Sequence, residues 1–307
     1  RPQPQAVRRF GRTVARLVHA VAGRPVAFSA SPVLFLLTVA RLEEAGVEGI
    51  ALEHSRALRI ETTTMEGVFE QMTEPHFARG DLHVAVQTRL AQSPRPSSAA
   101  PPSFHAKEGR WLSLTSPLKH LIGDWDCVDG AHALLSVNAL RLQGDEVRSA
   151  GTDGAGVLAV ARLAGCGPDG GGILRMRGGG GAARSVAHAW VNAGGRVHLI
   201  EGRRPLTPAL PELASAGPSE PAALGIDFDG EGEPLDASKH LIPAYQNKAV
   251  HADGSLDGPL IDGRWMLVAQ HLEAWRILWA PELQAMLPSI PDLMEDLVAV
   301  EALLDGR

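Results

Sequence analysis

The chain has 307 residues, 45% of them hydrophobic and 21% charged, and carries a formal net charge of -6. That length suggests about two domains, each able to bury a core. The acidic balance excludes a general affinity for nucleic acid or an anionic membrane. The two cysteines, Cys127 and Cys166, exclude a disulfide framework and a Cys-x-x-Cys zinc site. The twelve histidines show no ligand spacing, so no metal is expected. The most apolar run, residues 33–40, is too short to span a bilayer, and no apolar leader with a cleavage site is read at the start; a cytoplasmic protein is expected.

Val7, Phe10, Val14, Leu17, Val18 and Val21 share one helical face, so residues 7–21 predict a helix whose arginines (Arg8, Arg9, Arg12, Arg16) face solvent. Residues 25–28 then predict a short buried strand punctuated by Gly23. Pro32 suits a first helical turn, and residues 33–44 predict a helix ending at Gly46. Residues 47–52 predict a second strand, 65–72 a helix, and the alternation at 82–87 a strand. Residues 93–103 (S-P-R-P-S-S-A-A-P-P-S) read as an extended loop. Strands are expected at 111–114 and 137–142, the second closing in a Gly144-Asp145 turn.

Residues 153–163 predict a helix that crosses to a second domain. Strand 173–177, glycine turn 178–181, helix 182–193 and strand 196–200 make one β-α-β unit, the opening of a parallel, doubly wound sheet. Between residues 205 and 243 Pro, Gly and Glu dominate; one strand, 224–228, is expected, and the sheet reads as shortened there. Residues 264–278 and 281–304 predict helices.

Polar groups gather at the boundaries of these elements. Lys119, Asn138 and Asp153 follow one another between residues 114 and 156. A lysine beside a carboxylate can move a proton at a carbonyl oxygen; alone, Lys119 reads equally as a surface amine and Asp153 as a helix cap. Ser29 and Ser31 can bind a carboxylate, or cap the following helix. Gly178, Gly180 and Gly181, followed by Ala182, can bring bare backbone and a helix N-terminus to a pyrophosphate, or form a flexible linker. After the next strand, Glu201 can hydrogen-bond the ribose hydroxyls of NAD, whereas Arg203 or Arg204 can reach the 2′-phosphate of NADP.

Six motifs in order resemble the shikimate dehydrogenase family: S-A-S-P at 29–32, S-L-T-S-P-L-K at 113–119, S-V-N-A at 136–139, G-T-D-G-A-G at 151–156, G-G-G-G-A-A-R at 178–184 and G-R-W-M-L-V-A-Q at 263–270. The resemblance implies an α/β protein of two domains. A substrate-binding α/β domain (1–152 plus 264–307) would join a Rossmann-type dinucleotide domain (153–263) reduced between residues 205 and 243. It implies an NAD(P)-dependent oxidoreductase that interconverts a cyclic hydroxy acid and its keto acid, with Lys119 and Asp153 handling the proton. It further implies that Ser29, Ser31, Thr115, Asn138, Tyr245 and Gln270 bind the substrate. Gly178, Gly180, Gly181, Ala182, Glu201, Arg203, Arg204, Gly263 and Met266 would border the cofactor, by family habit NADP, with NAD open. A monomer or homodimer is expected.

The chain departs from the family pattern at several places. Phe28, Phe35 and Leu36 stand where the family has His, His and Asn, which predicts a more apolar pocket floor; Ser113, Ala139 and Gly151 replace Asn, Thr and Asn. These departures leave two alternatives: a non-catalytic binding or regulatory relative, and a dehydrogenase for a related acid of specialised metabolism.

Overall fold

A computed structural model describes residues 14–73, 80–96, 101–121, 123–230, 233–244 and 255–306. Two sheets divide the chain. The first has six strands in the order β2-β1-β3-β5-β6-β4: β1 (Arg16–Gly23), β2 (Ser55–Glu61), β3 (Glu108–Leu114), β4 (Asp126–Cys127), β5 (Ala139–Gln143) and β6 (Glu146–Ala150). β1 lies parallel to β2 and β3, while β5 runs antiparallel to β3 and β6.

β1 overturns the helix expected over residues 7–21; residues 7–13 lie outside the described part. Every residue from Leu17 to Gly23 is buried. Val18, Ala20 and Ala22 pack on one face of the sheet and Leu17 on the other. A central strand buried on both faces reads as a continuous apolar run, and such a run can mimic a helical stripe. The strand expected at 25–28 is a turn, since Pro25 has no N–H to give a ladder. The strand expected at 47–52 is also displaced: β2 begins at Ser55, three residues beyond the expected end, and Glu48 makes an isolated bridge to Ser103. Residues 82–87 belong to helix α3 (Asp81–Gln92), not to a strand. Their alternation is local, whereas Ala85, Val86 and Arg89 turn inward together at helical spacing.

Helices α1 (Ser31–Glu44), α2 (Met65–Thr73) and α3 cover this sheet with the C-terminal α6 (Gly263–Ala274) and α7 (Ile290–Asp305). Between α6 and α7 lie a π-helical turn, Trp275–Trp279, and a 3₁₀ turn, Pro281–Met286. Trp111, Trp275 and Trp279 pack together, with ring centroids 4.7 to 6.2 Å apart, and Phe35 joins them. Behind the helices, the carboxylate of Asp296 is wholly buried between Arg41 and Arg89, each at 2.8 Å, which ties α7 to α1 and α3.

Helix α4 (Asp153–Leu163) leads to the second sheet, which is entirely parallel. It consists of β7 (Ile173–Arg177), β8 (Arg196–Ile200), β9 (Leu224–Asp227), β10 (Lys239–Ile242) and β11 (Leu260–Asp262), in the order β11-β10-β9-β7-β8. Beyond β8, Ser215 pairs with Val197 through a single parallel bridge, a one-residue remnant of a further strand. Helix α5 (Gly181–Asn192) joins β7 to β8. Only a 3₁₀ turn at Glu212–Ala214 stands between β8 and β9, and no helix stands between β9 and β10 among the described residues. The region read as shortened, 205–243, therefore holds β9 and the unforeseen β10 and has no α-helix among its described residues; a further unforeseen strand, β11, follows it. No helix among the described residues is long and apolar enough to cross a membrane.

Candidate active site

One end of each sheet faces a common crevice. From the first sheet, β3 runs into Thr115 and Lys119, and β6 runs into Thr152 and Asp153. From the second, β7 ends at the glycine turn and β9 at Phe228. The second sheet reverses its strand order between β7 and β9, and ligands of open α/β sheets bind outside the carboxyl ends at such a switch point.

Lys119 and Asp153 meet. Lys119 Nζ donates to Asp153 Oδ2 at 2.6 Å, the lysine side chain 19% exposed and the carboxylate 1%. Asp153 opens α4, where the helix dipole favours a carboxylate. Its Oδ1 accepts from Asn138 Nδ2 at 3.0 Å. Asn138 also accepts the Thr152 N–H at 2.7 Å and exchanges hydrogen bonds with the Thr152 hydroxyl. The amide thus acts as a strut that orients the carboxylate.

Lys119 borders two adjoining spaces, and Asp153 the inner one. An inner cavity of about 180 Å³ is lined by Ser29, Ser31, Thr115, Asn138, Gln270 and the less foreseen Ser113 and His271, among others. An outer cleft of about 740 Å³ is lined by Gly180, Gly181, Ala182, Arg184, Arg203 and Arg204, among others. Thr115, Lys119, Ala182 and Phe228 belong to both walls. Gly263 and Met266 line the inner cavity rather than the cleft. Tyr245 lies outside the described residues. Phe28 is 72% exposed, whereas Phe35 and Leu36 are wholly buried in the helix core and do not line the cavity. The apolar floor expected of these three residues is therefore not formed by them; Val21, Leu114, Phe228, Met266 and Leu267 supply the apolar wall.

At the inner end, Ser29 donates its hydroxyl to Ser31 at 3.3 Å, and Arg59 reaches the Ser29 carbonyl at 3.0 Å. Burial lowers the Arg59 guanidinium from its ordinary range. Ser113 Oγ lies 3.0 Å from Nε2 of His19, a wholly buried ring that burial pushes down to about 3.

The cleft fits a dinucleotide. Gly178 holds φ at +115°, a region that disfavours side chains, and so turns the chain from β7 toward the head of α5. At Gly181 a Cβ would stand 3.3 Å from Lys119 Cβ and 3.4 Å from the Leu135 carbonyl, crowding the cleft wall beside Lys119. The N-terminal turn of α5 lines the cleft, and a helix N-terminus attracts anions such as a pyrophosphate. Arg184, the last residue of the glycine motif, bridges the crevice: it donates to the carbonyls of Leu134 and Leu135 at 2.6 Å and of Gly179 at 3.0 Å. Burial, and then the charge of Arg204, lowers its guanidinium from the ordinary range. Arg203 is held by Asp229. Glu201 is exposed and lies outside the lining of the cleft. Among the described residues no group of three His, Cys, Asp or Glu side chains is placed to hold a metal.

No protein-family model matches this chain, and no curated protein is similar to it in sequence. Solved structures do match along nearly its whole length. Shikimate 5-dehydrogenase from Thermus thermophilus in complex with shikimate is 22% identical, with a TM-score of 0.59 over 94% of this chain and 99% of that one. The fold is that of the shikimate dehydrogenases. A structure of the same Thermus thermophilus enzyme with NADP(H) and shikimate is 21% identical, with a TM-score of 0.58 over 92% of this chain and 99% of that one. The 5-ketofructose reductase of Gluconobacter sp. strain CHM43 shares the same arrangement at 15% identity, with a TM-score of 0.52 over 92% and 97%.

Ser113, His19, Thr152, Arg184 and His271 border or support this site without having been assigned a role from sequence. Ser113 and Arg184 lie inside recognisable motifs, and His271 follows directly on one. His19 and His271 belong to no ligand spacing, and their role rests on partners that packing supplies.

Proposed function

We propose that this chain is a nicotinamide-dependent oxidoreductase that interconverts a cyclic hydroxy acid of the shikimate type and its keto acid. One observation carries the reading: the Lys119–Asp153 pair stands where the substrate-sized cavity adjoins the dinucleotide-sized cleft. A bound nicotinamide dinucleotide would supply or accept the hydride. A carbonyl gaining hydride develops negative charge on oxygen, and a proton donor in contact with that oxygen accelerates the step by about 10²–10⁴-fold. Lys119 is that donor, and takes the proton back in the oxidative direction. Asp153 holds the ammonium against the cavity wall, and Asn138 with Thr152 holds Asp153.

Ser29 and Ser31 bind the carboxylate, and Thr115 and Gln270 bind ring hydroxyls. Gly178, Gly180, Gly181 and Ala182 receive the pyrophosphate, while Gly263 and Met266 close the floor beneath the nicotinamide. The three arginines Arg184, Arg203 and Arg204 around the cleft favour NADP over NAD, since Glu201 stands outside the cleft and Asp229, a carboxylate of its wall, is engaged by Arg203. In this reading residues 1–152 and 264–307 form the substrate domain and 153–263 the cofactor domain.

Absorbance of the reduced nicotinamide, followed with shikimate and NADP, tests the proposal. Lys119→Ala is expected to lower kcat about 10³-fold with little change in melting temperature. Intact turnover in that variant would remove Lys119 from the mechanism. Serine in place of the family's Asn at 113, backed by His19, favours a second reading in which the acid differs from shikimate in its ring hydroxyls. A panel of deoxy- and amino-substituted acids separates the two.

A further inference from the structure

The inner cavity carries polar atoms that its internal pairing leaves over. Gln270 Oε1 and His271 Nδ1 are buried and have no hydrogen-bond partner among the described residues, and both residues line the cavity from α6. An unpaired buried polar atom costs about 1–3 kcal/mol, so two of them on one cavity wall point to a ligand that repays the loss.

The surroundings of His271 assign its proton. Its Nε2 faces the indole N–H of Trp275 at 3.1 Å, one helical turn further along. An indole nitrogen only donates, so Nε2 presents its lone pair. Burial first, and the neighbouring His19 second, lower the imidazole well below its ordinary 6.5, so the ring is neutral at physiological pH. A neutral imidazole carries one proton, which then sits on Nδ1. Ring contacts to Trp279 (5.2 Å) and His19 (5.9 Å), both edge-on, hold the plane of the ring.

His19 contributes no chemistry of its own. A ring that ionises only near pH 3 is too weak a base to activate Ser113 as a nucleophile, so the Ser113–His19 contact fixes a hydroxyl rather than creating a reactive one.

We propose that His271 is a specificity-determining residue of this pocket, a fixed donor whose Nδ1–H is received by a ring hydroxyl of the bound cyclic acid. The inference rests on the cyclic-acid reading of the site. The adjacent Gln270 Oε1 is an acceptor. A hydroxyl satisfies both atoms, because it accepts from the imidazole and donates to the amide oxygen; a carboxylate would satisfy only the first.

Two measurements decide it. In protein labelled with ¹⁵N-histidine, long-range ¹⁵N–¹H spectra are expected to show His271 as the Nδ1–H tautomer, assigned by its loss in His271→Phe, and shikimate is expected to shift that signal. In turnover with NADP, His271→Phe is expected to raise KM for shikimate about tenfold, the worth of one hydrogen bond, with kcat within about twofold. The monodeoxy analogue lacking the hydroxyl that His271 binds is expected to show no such rise. An Nε2–H tautomer, an unchanged KM or an equal KM rise across all analogues overturns the proposal. Should His271→Phe fail to fold, Trp275→Phe keeps the imidazole and removes the N–H that fixes its tautomer; mixed tautomers with a raised KM for shikimate are expected, and mixed tautomers with an unchanged KM overturn the proposal. Wild-type protein that gives the shikimate-induced shift without turnover would strike the redox reading and leave this one standing. Turnover with an Nε2–H tautomer would strike this one alone.

Discussion

The two sheets close their faces by different means. In the first, β1 and β3 are buried on both sides, and whole helices with a tryptophan cluster do the covering. In the second, α5 covers one face, where Leu174, Met176, Val197, Leu224 and Ile226 are buried. On the opposite face of β7, the buried Arg175 donates to the carbonyls of Pro218 and Glu220, both at 2.8 Å, and to that of Asp236. Helices satisfy their own backbone; the described irregular segments on either side of β9 do not, and their carbonyls need outside donors. A guanidinium with five N–H groups can serve several at once. The comparison teaches that a parallel sheet can lose covering helices when a cationic side chain gathers the replacing loops. The Lys119–Asp153 pair stands at the seam, so its geometry depends on both solutions.

Substitutions that attack each solution separately sharpen the contrast. Asp296→Ala leaves Arg41 and Arg89 buried without their shared carboxylate, and is expected to cost about 3–5 kcal/mol in urea unfolding. A smaller loss would mean that Glu44 and Glu295 carry the network. Arg175→Leu strands three carbonyls and is expected to cost toward the upper end of about 1–3 kcal/mol. Hydrogen exchange should localise that loss to β7 and β9, while β1 and β3 keep their protection; uniform loss would mean that the two sheets unfold as one.

A pH series separates the sheets again. His19 is buried in β1 with its pKa depressed to about 3, so below the ordinary 6.5 the unfolded chain binds a proton that the folded chain refuses. Stability therefore falls as pH drops from 6.5 toward 3, by about 2 kcal/mol at pH 5 from this group alone. His271, shifted in the same direction, adds to the slope. His19→Gln is expected to flatten the curve, and an unchanged slope would place its origin elsewhere. The smallest effect is expected at the cleft. Arg204→Ala should raise KM for NADP about tenfold and leave KM for NAD nearly unchanged, since a lost cation is felt only by the 2′-phosphate.

Much of the second sheet was legible because its elements are punctuated: residues 153–163 and 173–200 form the helix and the β-α-β unit that Gly165, Gly178 and Gly194 bracket. The N-terminal elements misled because burial on both faces erases periodicity. β1 looked like a helical stripe, and α3 showed a short alternation inside a longer helical pattern. The pairing of Lys119 with Asp153 was anticipated through family resemblance. The role of Asn138 as a strut was not, because an amide's partners depend on a loop 14 residues away.

The residue types and their order determined what chemistry is available: an amine, a carboxylate, two serines and a bare glycine turn, each at the end of an element. Those are properties of local sequence, where turns, caps and glycine backbone are set within a few residues. Tertiary structure alone decided that His271 Nε2 would receive the indole N–H of Trp275, that Arg175 would stand in for helices, and that Lys119 would lie on the wall shared by two cavities. Each of these follows from long-range packing, which sets the burial and hydrogen-bond partners of a side chain and so its charge state and its direction.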